Sequence, residues 1–336
     1  MRVGTIGYAT ESGLGLLIQD FFKNKIITDI LIQTHHKFEN HFDWYPESSI
    51  IKSPVGQLSK DELPLIDAYI SNIDALFLFE SYWHPEIIDF ALQKRKPIIL
   101  MPMYEWSPGP IPADLFITPS LLDQKYYLDL YPKSHVKQLN VPVNSNIIWR
   151  ERTQARKFIH NAGNGSSNDR NGTLDLIKAM EYVKSPVCLE IRAQALSLPN
   201  ISNKKIKVIN KTLPFSELWS TGDVFIFVER FAGLSMPLQE AFSSGMAVIS
   251  GNRFPLNDWL PSDLLVDPVG AEMLSFNGLP VQSSLYDVKK IAEMIDKVFE
   301  MDLTKYSIEG RDWAEKNSWN ILKPIYQKLI EETINT

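Results

Sequence analysis

Two carboxylates bracket one short stretch, "ERFAGLSMPLQEAFSS". Glu229 closes the apolar run "VFIFV", and Glu240 precedes a second apolar run, "MAVIS". Ser235 suits a helix N-cap and Pro237 the first turn after it. Leu238, Ala241, Phe242 and Gly245 recur at i, i+3, i+4 and i+7, which gives one packed helical face. The segment therefore reads strand, loop, helix, strand, and this reading puts Glu240 in the first helical turn. A carboxylate there complements the helix dipole, worth about 0.3–1 kcal/mol. It can equally accept from a ligand hydroxyl while the loop amides meet a sugar or a phosphate.

Phosphate chemistry needs close backbone approach and positive charge. "HNAGNGSSNDRNGTLDLIKAM" (160–180) follows an apolar run and leads into a helical pattern. Its Gly163, Gly165 and Gly172 let backbone amides approach a diphosphate, and Arg170 adds charge. Arg192, in "EIRAQ", ends the next run. A guanidinium there can clamp a phosphate or serve as a structural ion-pair partner. Gly13 and Gly15, in "ATESGLGLLIQDFF", open a helix directly after the first run. They do not form G-x-G-x-x-G, and no acidic residue closes a second strand, so the dinucleotide pattern is not met. Glu80 and Glu105 end the consecutive runs "LFLFE" and "ILMPMYE", as carboxylates for acceptor hydroxyls. His84, in "SYWHPE", reads as structural. "THHKFENHFDWYP" (34–46) gathers histidines, yet His36 and His41 lack i, i+4 spacing and no acidic ligand accompanies them, which argues against a metal.

The elements that must position these groups alternate. Runs at 2–8, 29–33, 75–80, 97–103, 114–120 and 136–142 read as strands, and so do runs at 157–163, 187–193, 206–210, 224–229, 246–250 and 264–267. Most are continuously apolar, the pattern of parallel strands buried on both faces. Helical patterns intervene, with Pro85 and Thr173 at helix starts. Twelve strands divide better into two sheets of about six than into one. The break falls near the polar, basic stretch 141–158. The fold class is α/β, two Rossmann-like domains with parallel sheets facing a cleft. Ligands of such sheets bind beyond the carboxyl ends of the strands.

The 336 residues, 44% hydrophobic and 22% charged, have ordinary globular composition. A formal charge of −6 argues against nucleic-acid binding by bulk charge. The lone cysteine, Cys188, excludes an internal disulfide and a cysteine metal cage, and in "PVCLEI" it reads as a small core residue. The N-terminus lacks a signal-peptide apolar region and no run approaches a membrane span. The expectation is a soluble, cytoplasmic protein.

"GLSMPLQEAFSSGMAVIS" resembles the donor-site motif of retaining, GT-B-fold glycosyltransferases (the group 1, family 4-like enzymes), through Gly233, Pro237, Glu240, Ala241, Gly245, Val248 and Ile249. The resemblance implies that Glu240 binds the donor ribose hydroxyls and that Gly233, Leu234 and Ser235 approach the sugar and diphosphate. Two departures stand out. Ala232 occupies the place of the family's first glutamate, with Glu229 three residues earlier, and Ala247 replaces a proline. In "DRNGT" Arg170 takes the place of the family's basic residue before the helix, and Gly13 and Gly15 match its N-terminal glycine-rich turn. The implied domains are an acceptor-side domain at 1–148, a nucleotide-sugar domain at 149–312 and, at 313–336, a helix packing back on the first domain. The implied activity is sugar transfer to a hydroxyl acceptor with retention. It needs no metal and no cofactor beyond the nucleotide-sugar co-substrate. Arg170, Arg192, Glu80 and Glu105 form the catalytic set. The acceptor is a carbohydrate or another hydroxyl compound. Two alternatives stay open. One is a phage-type enzyme acting on hydroxymethylated DNA bases, with "WRERTQARK" and "SNKKIKVINK" tracking phosphate. The other is a catalytically silent sugar-binding or partner-binding protein.

Overall fold

The computed structural model describes residues 1–106, 112–132, 134–163, 169–194, 198–276 and 278–336. The chain forms two compact units, residues 1–144 with 317–336, and residues 145–316.

The first unit runs β1 (Val3–Gly7), α1 (Gly13–Lys23), β2 (Asp29–Gln33), β3 (Ser49–Ile51), α2 (Leu63–Ser71), β4 (Ala75–Glu80), α3 (Pro85–Gln93), β5 (Ile98–Pro102), β6 (Leu115–Thr118), α4 (Leu121–Leu130) and β7 (His135–Gln138). Its seven strands pair in the order β3-β2-β1-β4-β5-β6-β7, all parallel. β1 and β5 are buried at every position, as continuous apolar runs require when helices cover both faces. β3, α2 and α4 go beyond what periodicity indicates. β3 has only three residues, and α4 shows almost no amphipathic contrast, since it is held by Tyr127 packed on Phe116.

The second unit runs β8 (Lys157–Gly163), α5 (Thr173–Ala179), β9 (Cys188–Ala193), β10 (Ile206–Asn210), α6 (Phe215–Leu218), β11 (Val224–Phe227), α7 (Met236–Ser243), β12 (Ala247–Gly251), β13 (Leu265–Val266), β14 (Gly270–Phe276), β15 (Leu279–Leu285), α8 (Val288–Phe299) and α9 (Thr304–Lys316). Six strands form a parallel sheet in the order β10-β9-β8-β11-β12-β13, and β14 and β15 make a separate antiparallel hairpin. The sequence reading had no place for this hairpin, whose first strand is exposed at most positions and so lacks the apolar run that marks a buried strand.

The tail reads in sequence as one helix, but it is two. α9 ends at Lys316, and α10 (Trp319–Ile334) belongs to the first unit. There the Trp319 indole N–H donates to Asp20 at 2.7 Å, and the Tyr326 hydroxyl donates to the Asn140 carbonyl at 3.0 Å. Cys188 is also corrected. It is exposed rather than in the core, because it is the first residue of β9, where the strand emerges from the helical layers.

Both sheets reverse their strand order once, between β1 and β4 in the first unit and between β8 and β11 in the second. Beyond the carboxyl ends of strands at such reversals, loops diverge and leave room for a ligand.

Candidate functional site

In the second unit the reversal brings the ends of β8 and β11 side by side. β8 leaves the sheet at Gly163, whose φ of 67° suits glycine. Asp169 and Arg170 precede α5, which starts after Gly172, at φ 71°. A Cβ on Gly172 would collide with the Val228 carbonyl, so this glycine is required by the close passage of β11. Asp169 accepts from the Leu174 amide at 3.1 Å and caps α5. Gly165 lies outside the described residues.

β11 ends at Phe227 and α7 begins at Met236; between them lies a largely buried loop. Glu229 is 4% exposed and organises it. The Arg253 guanidinium donates to its carboxylate at 2.9 Å, the Ser235 hydroxyl donates to the same oxygen, and Arg170 lies 3.5 Å from the other oxygen. Arg253 also donates to the main-chain carbonyls of Glu229 at 3.0 Å and Ala232 at 2.9 Å. Arg170 donates to the Phe231 carbonyl at 3.1 Å, and its guanidinium lies over the rings of Phe231 and Phe276, the latter from the β14–β15 hairpin. This many charge-assisted partners on one buried carboxylate hold the loop in one shape. Ser235 occupies the N-cap position of α7, but its side chain makes no cap bond. Its hydroxyl goes instead to the charged Glu229, the stronger acceptor.

Glu240 is not in the first turn. It is the fifth residue of α7, partly exposed, and the first turn carries no acidic residue. The dipole reading therefore loses its basis, because that effect falls off within the first turn. Gly233 and Leu234 are buried in the loop ahead of the helix.

Arg192 is not part of this group. It is 4% exposed, with Nε on Glu190 at 2.9 Å, Nη2 on the Thr221 hydroxyl at 2.9 Å and Nη1 on the Leu218 carbonyl. Glu190 is shared with Lys157 at 3.0 Å, and these two cations hold its carboxyl below the ordinary range despite its burial. Arg230 is likewise engaged, with Asp175 at 2.7 Å and Asp169 at 3.9 Å.

In the first unit, Glu80 ends β4 at φ 63°, a left-handed conformation uncommon outside glycine. Burial, with the charge of Glu80 second, raises the pKa of the half-buried Tyr8 phenol. Glu105 is fully buried beside Asp123, whose carboxyl is raised by burial and then by Glu105. Gly15 donates its amide to the Ser12 hydroxyl at 3.1 Å, and a Cβ on it would collide with the Thr10 carbonyl, whereas Gly13 faces open space. His84 is structural, as its surroundings show. It accepts from the Gly56 amide at 3.1 Å and donates to Gln33 at 2.7 Å, and burial lowers its pKa. His35 accepts the amides of Lys37 and Phe38, and His41 stacks on Trp44; both shape the loop.

Sequence reasoning missed Arg253. It sits two residues beyond β12, a strand-end position of the kind that singled out Arg192, so the signal was there. The partnership of Ser235 with Glu229 leaves no trace in sequence spacing.

No family model and no curated protein matches the sequence. Solved structures do match along its length. Anabaena HepE in complex with UDP-glucose superposes with a TM-score of 0.69 at 12% identity, covering 100% of this chain and 99% of that one. Sucrose-phosphate synthase from Thermosynechococcus elongatus gives 0.66 at 12% identity, covering 99% and 100%. The pneumococcal O-GlcNAc transferase GtfA, in complex with UDP and GlcNAc, gives 0.56 at 13% identity, covering 83% and 62%. With the two parallel α/β units described above, these likenesses define the fold as GT-B. Among the described residues no helix is long and apolar enough to cross a membrane.

Proposed function

We propose that this protein is a glycosyltransferase that takes a nucleotide-sugar as co-substrate and binds it beyond the carboxyl ends of β8, β11 and β12. The observation that carries this reading is the Glu229-centred loop. A backbone turn fixed by these bonds lies at a strand-order reversal, with Glu240 one helical turn further on and partly exposed. The full-length likeness to a chain solved with UDP-glucose supports it.

In this reading Glu240 accepts from the donor ribose hydroxyls, and the backbone of Gly233, Leu234 and Ser235 faces the sugar and diphosphate. The bond between the anomeric carbon and the donor phosphate oxygen breaks. The acceptor oxygen bonds to that carbon on the same face, and the departing phosphate takes the acceptor proton. The protein contributes position and charge. Arg170 shares Glu229 with Arg253, so it can turn toward a developing phosphate charge without leaving Glu229 uncompensated. Glu80, beside the neutral Tyr8 phenol, is the group of the first unit suited to an acceptor hydroxyl. The reaction proceeds without a bound metal, so EDTA leaves turnover unchanged.

One observation favours a second reading, that of a nucleotide-sugar binder without transfer. Ala232 stands where a second carboxylate would face the sugar, and Glu229 is committed to Arg253. A thermal-shift screen against nucleotide-sugars, followed by a product assay with the one that stabilises most, separates the readings. A shift with hydrolysis or transfer supports the enzyme. A shift without turnover supports the binder, and no shift with any nucleotide-sugar removes both.

A further inference from the structure

The first unit carries a cavity at one end of its sheet. It lies at the amino ends of β1, β2 and β3 and has a volume of about 560 Å³, within the range of small-molecule sites. The donor reading does not use this cavity, because it places the nucleotide-sugar on the second unit, beyond the carboxyl ends of β8, β11 and β12.

The wall combines two kinds of surface. One is apolar, formed by Phe22 from the end of α1, Tyr45, and Leu65 of α2. The Phe22 and Tyr45 rings meet edge to face at 5.0 Å and brace each other. The other is a fringe of short polar side chains, Ser48, Ser49 and Asn72. The wall is also stiff. The Tyr69 hydroxyl lies 2.7 Å from the Thr5 carbonyl and 3.0 Å from that of Asp29, and Gly4 leaves room for it.

Charge narrows the ligand class. Arg2 is paired with Asp29, and Glu47 adds a further negative charge, so the cavity presents no net positive field to a phosphate. A neutral ring with an apolar face and a hydroxylated rim matches both surfaces. Tyr45 adds an independent observation. It is 2% exposed, and its hydroxyl has no hydrogen-bond partner among the described residues. An unpaired buried hydroxyl costs about 1–3 kcal/mol, and a shift of the whole Tyr45 side chain toward the cavity would let a ligand hydroxyl recover it.

We propose that this cavity is a binding site for a neutral saccharide, separate from the donor site. The proposal goes beyond the transferase reading and stands without it, since it uses none of the donor-site residues.

Saturation-transfer NMR on the full chain, with maltotriose and cellotriose as probes, tests it. Transfer to at least one trisaccharide is expected, and it persists in Glu240→Ala. Ala68→Trp, on the exposed face of α2 that borders the cavity, abolishes transfer while circular dichroism and melting temperature stay unchanged. Tyr45→Phe weakens binding about five-fold, the loss of one hydrogen bond, without lowering the melting temperature. Absence of transfer to both probes overturns the proposal, as does transfer that Glu240→Ala removes or that Ala68→Trp leaves intact in a folded variant. Stronger, Ala68-sensitive transfer to uridine monophosphate overturns the ligand class.

Discussion

Arg253 holds Glu229 at two points. One nitrogen donates to its main-chain carbonyl at 3.0 Å and another to its carboxylate at 2.9 Å. A side chain just past β12 thus fixes both the backbone and the head group of the residue just past β11, the strand beside it in the sheet. Every candidate donor contact in the β11–α7 loop depends on that fixation.

Removing one partner of a buried pair leaves the other charge uncompensated, a loss of about 3–5 kcal/mol. Arg253→Ala should fall at the low end, near 3 kcal/mol, because Arg170 and Ser235 still reach Glu229. Thermal unfolding measures it. A loss below about 1 kcal/mol would show that the loop holds its shape without Arg253.

Glu240→Ala should separate binding from stability. The carboxylate lies beyond the first turn of α7 and is partly exposed, so its removal should cost the fold under about 0.5 kcal/mol. Calorimetric titration with UDP-glucose should show affinity at least ten-fold weaker. Unchanged affinity removes Glu240 from the donor site.

The two arginines should behave oppositely. Arg170→Ala should lower turnover by roughly 10²–10³-fold with a smaller effect on donor binding, since charge on the leaving diphosphate grows toward the transition state. Arg192→Ala should instead lower the melting temperature, because it breaks the buried pair with Glu190 and the ties to Leu218 and Thr221. Near-normal turnover in Arg170→Ala would place the donor phosphates elsewhere.

Stability should fall between pH 6.5 and 4. His160 is fully buried between the Ile226 carbonyl and the Thr173 hydroxyl, and burial pushes its pKa down to about 4. The unfolded chain takes up a proton near 6.5 and the folded one does not, so this contribution is complete above 6.5 and lost as pH falls. The loss at pH 5 is about 2 kcal/mol. His160→Gln should flatten this slope in melting curves taken from pH 7 to 5; an unchanged slope assigns it to other groups.

The twelve apolar runs read from the sequence all became strands of the two parallel sheets, with ends shifted by a few residues at most. Continuous burial in a parallel sheet writes itself into consecutive apolar residues, so "LFLF" and "VFIF" needed no partner to be understood. β3 and the β14–β15 hairpin stayed hidden because three residues, or an exposed ribbon, carry no such signature. Glu240 was legible as a residue, but its turn was not. α7 opens at Met236 behind Ser235, as the sequence indicates, and Glu240, its fifth residue, falls just beyond the first turn.

The sequence by itself determined the α/β class, the parallel sheets and the strand ends where charged residues gather, because these follow from local periodicity and from residue type. Only the tertiary structure decided which charges meet. Arg170 and Arg192 look alike in sequence, each following an apolar run. The strand order sets Arg170 against Glu229 and lets the alternation along β9 turn Arg192 onto Glu190, two residues before it. Arg253, 24 residues from Glu229 in the chain, becomes its nearest cation because β11 and β12 are neighbours in a parallel sheet. Contacts of that separation depend on how strands are ordered, and no local spacing encodes that order.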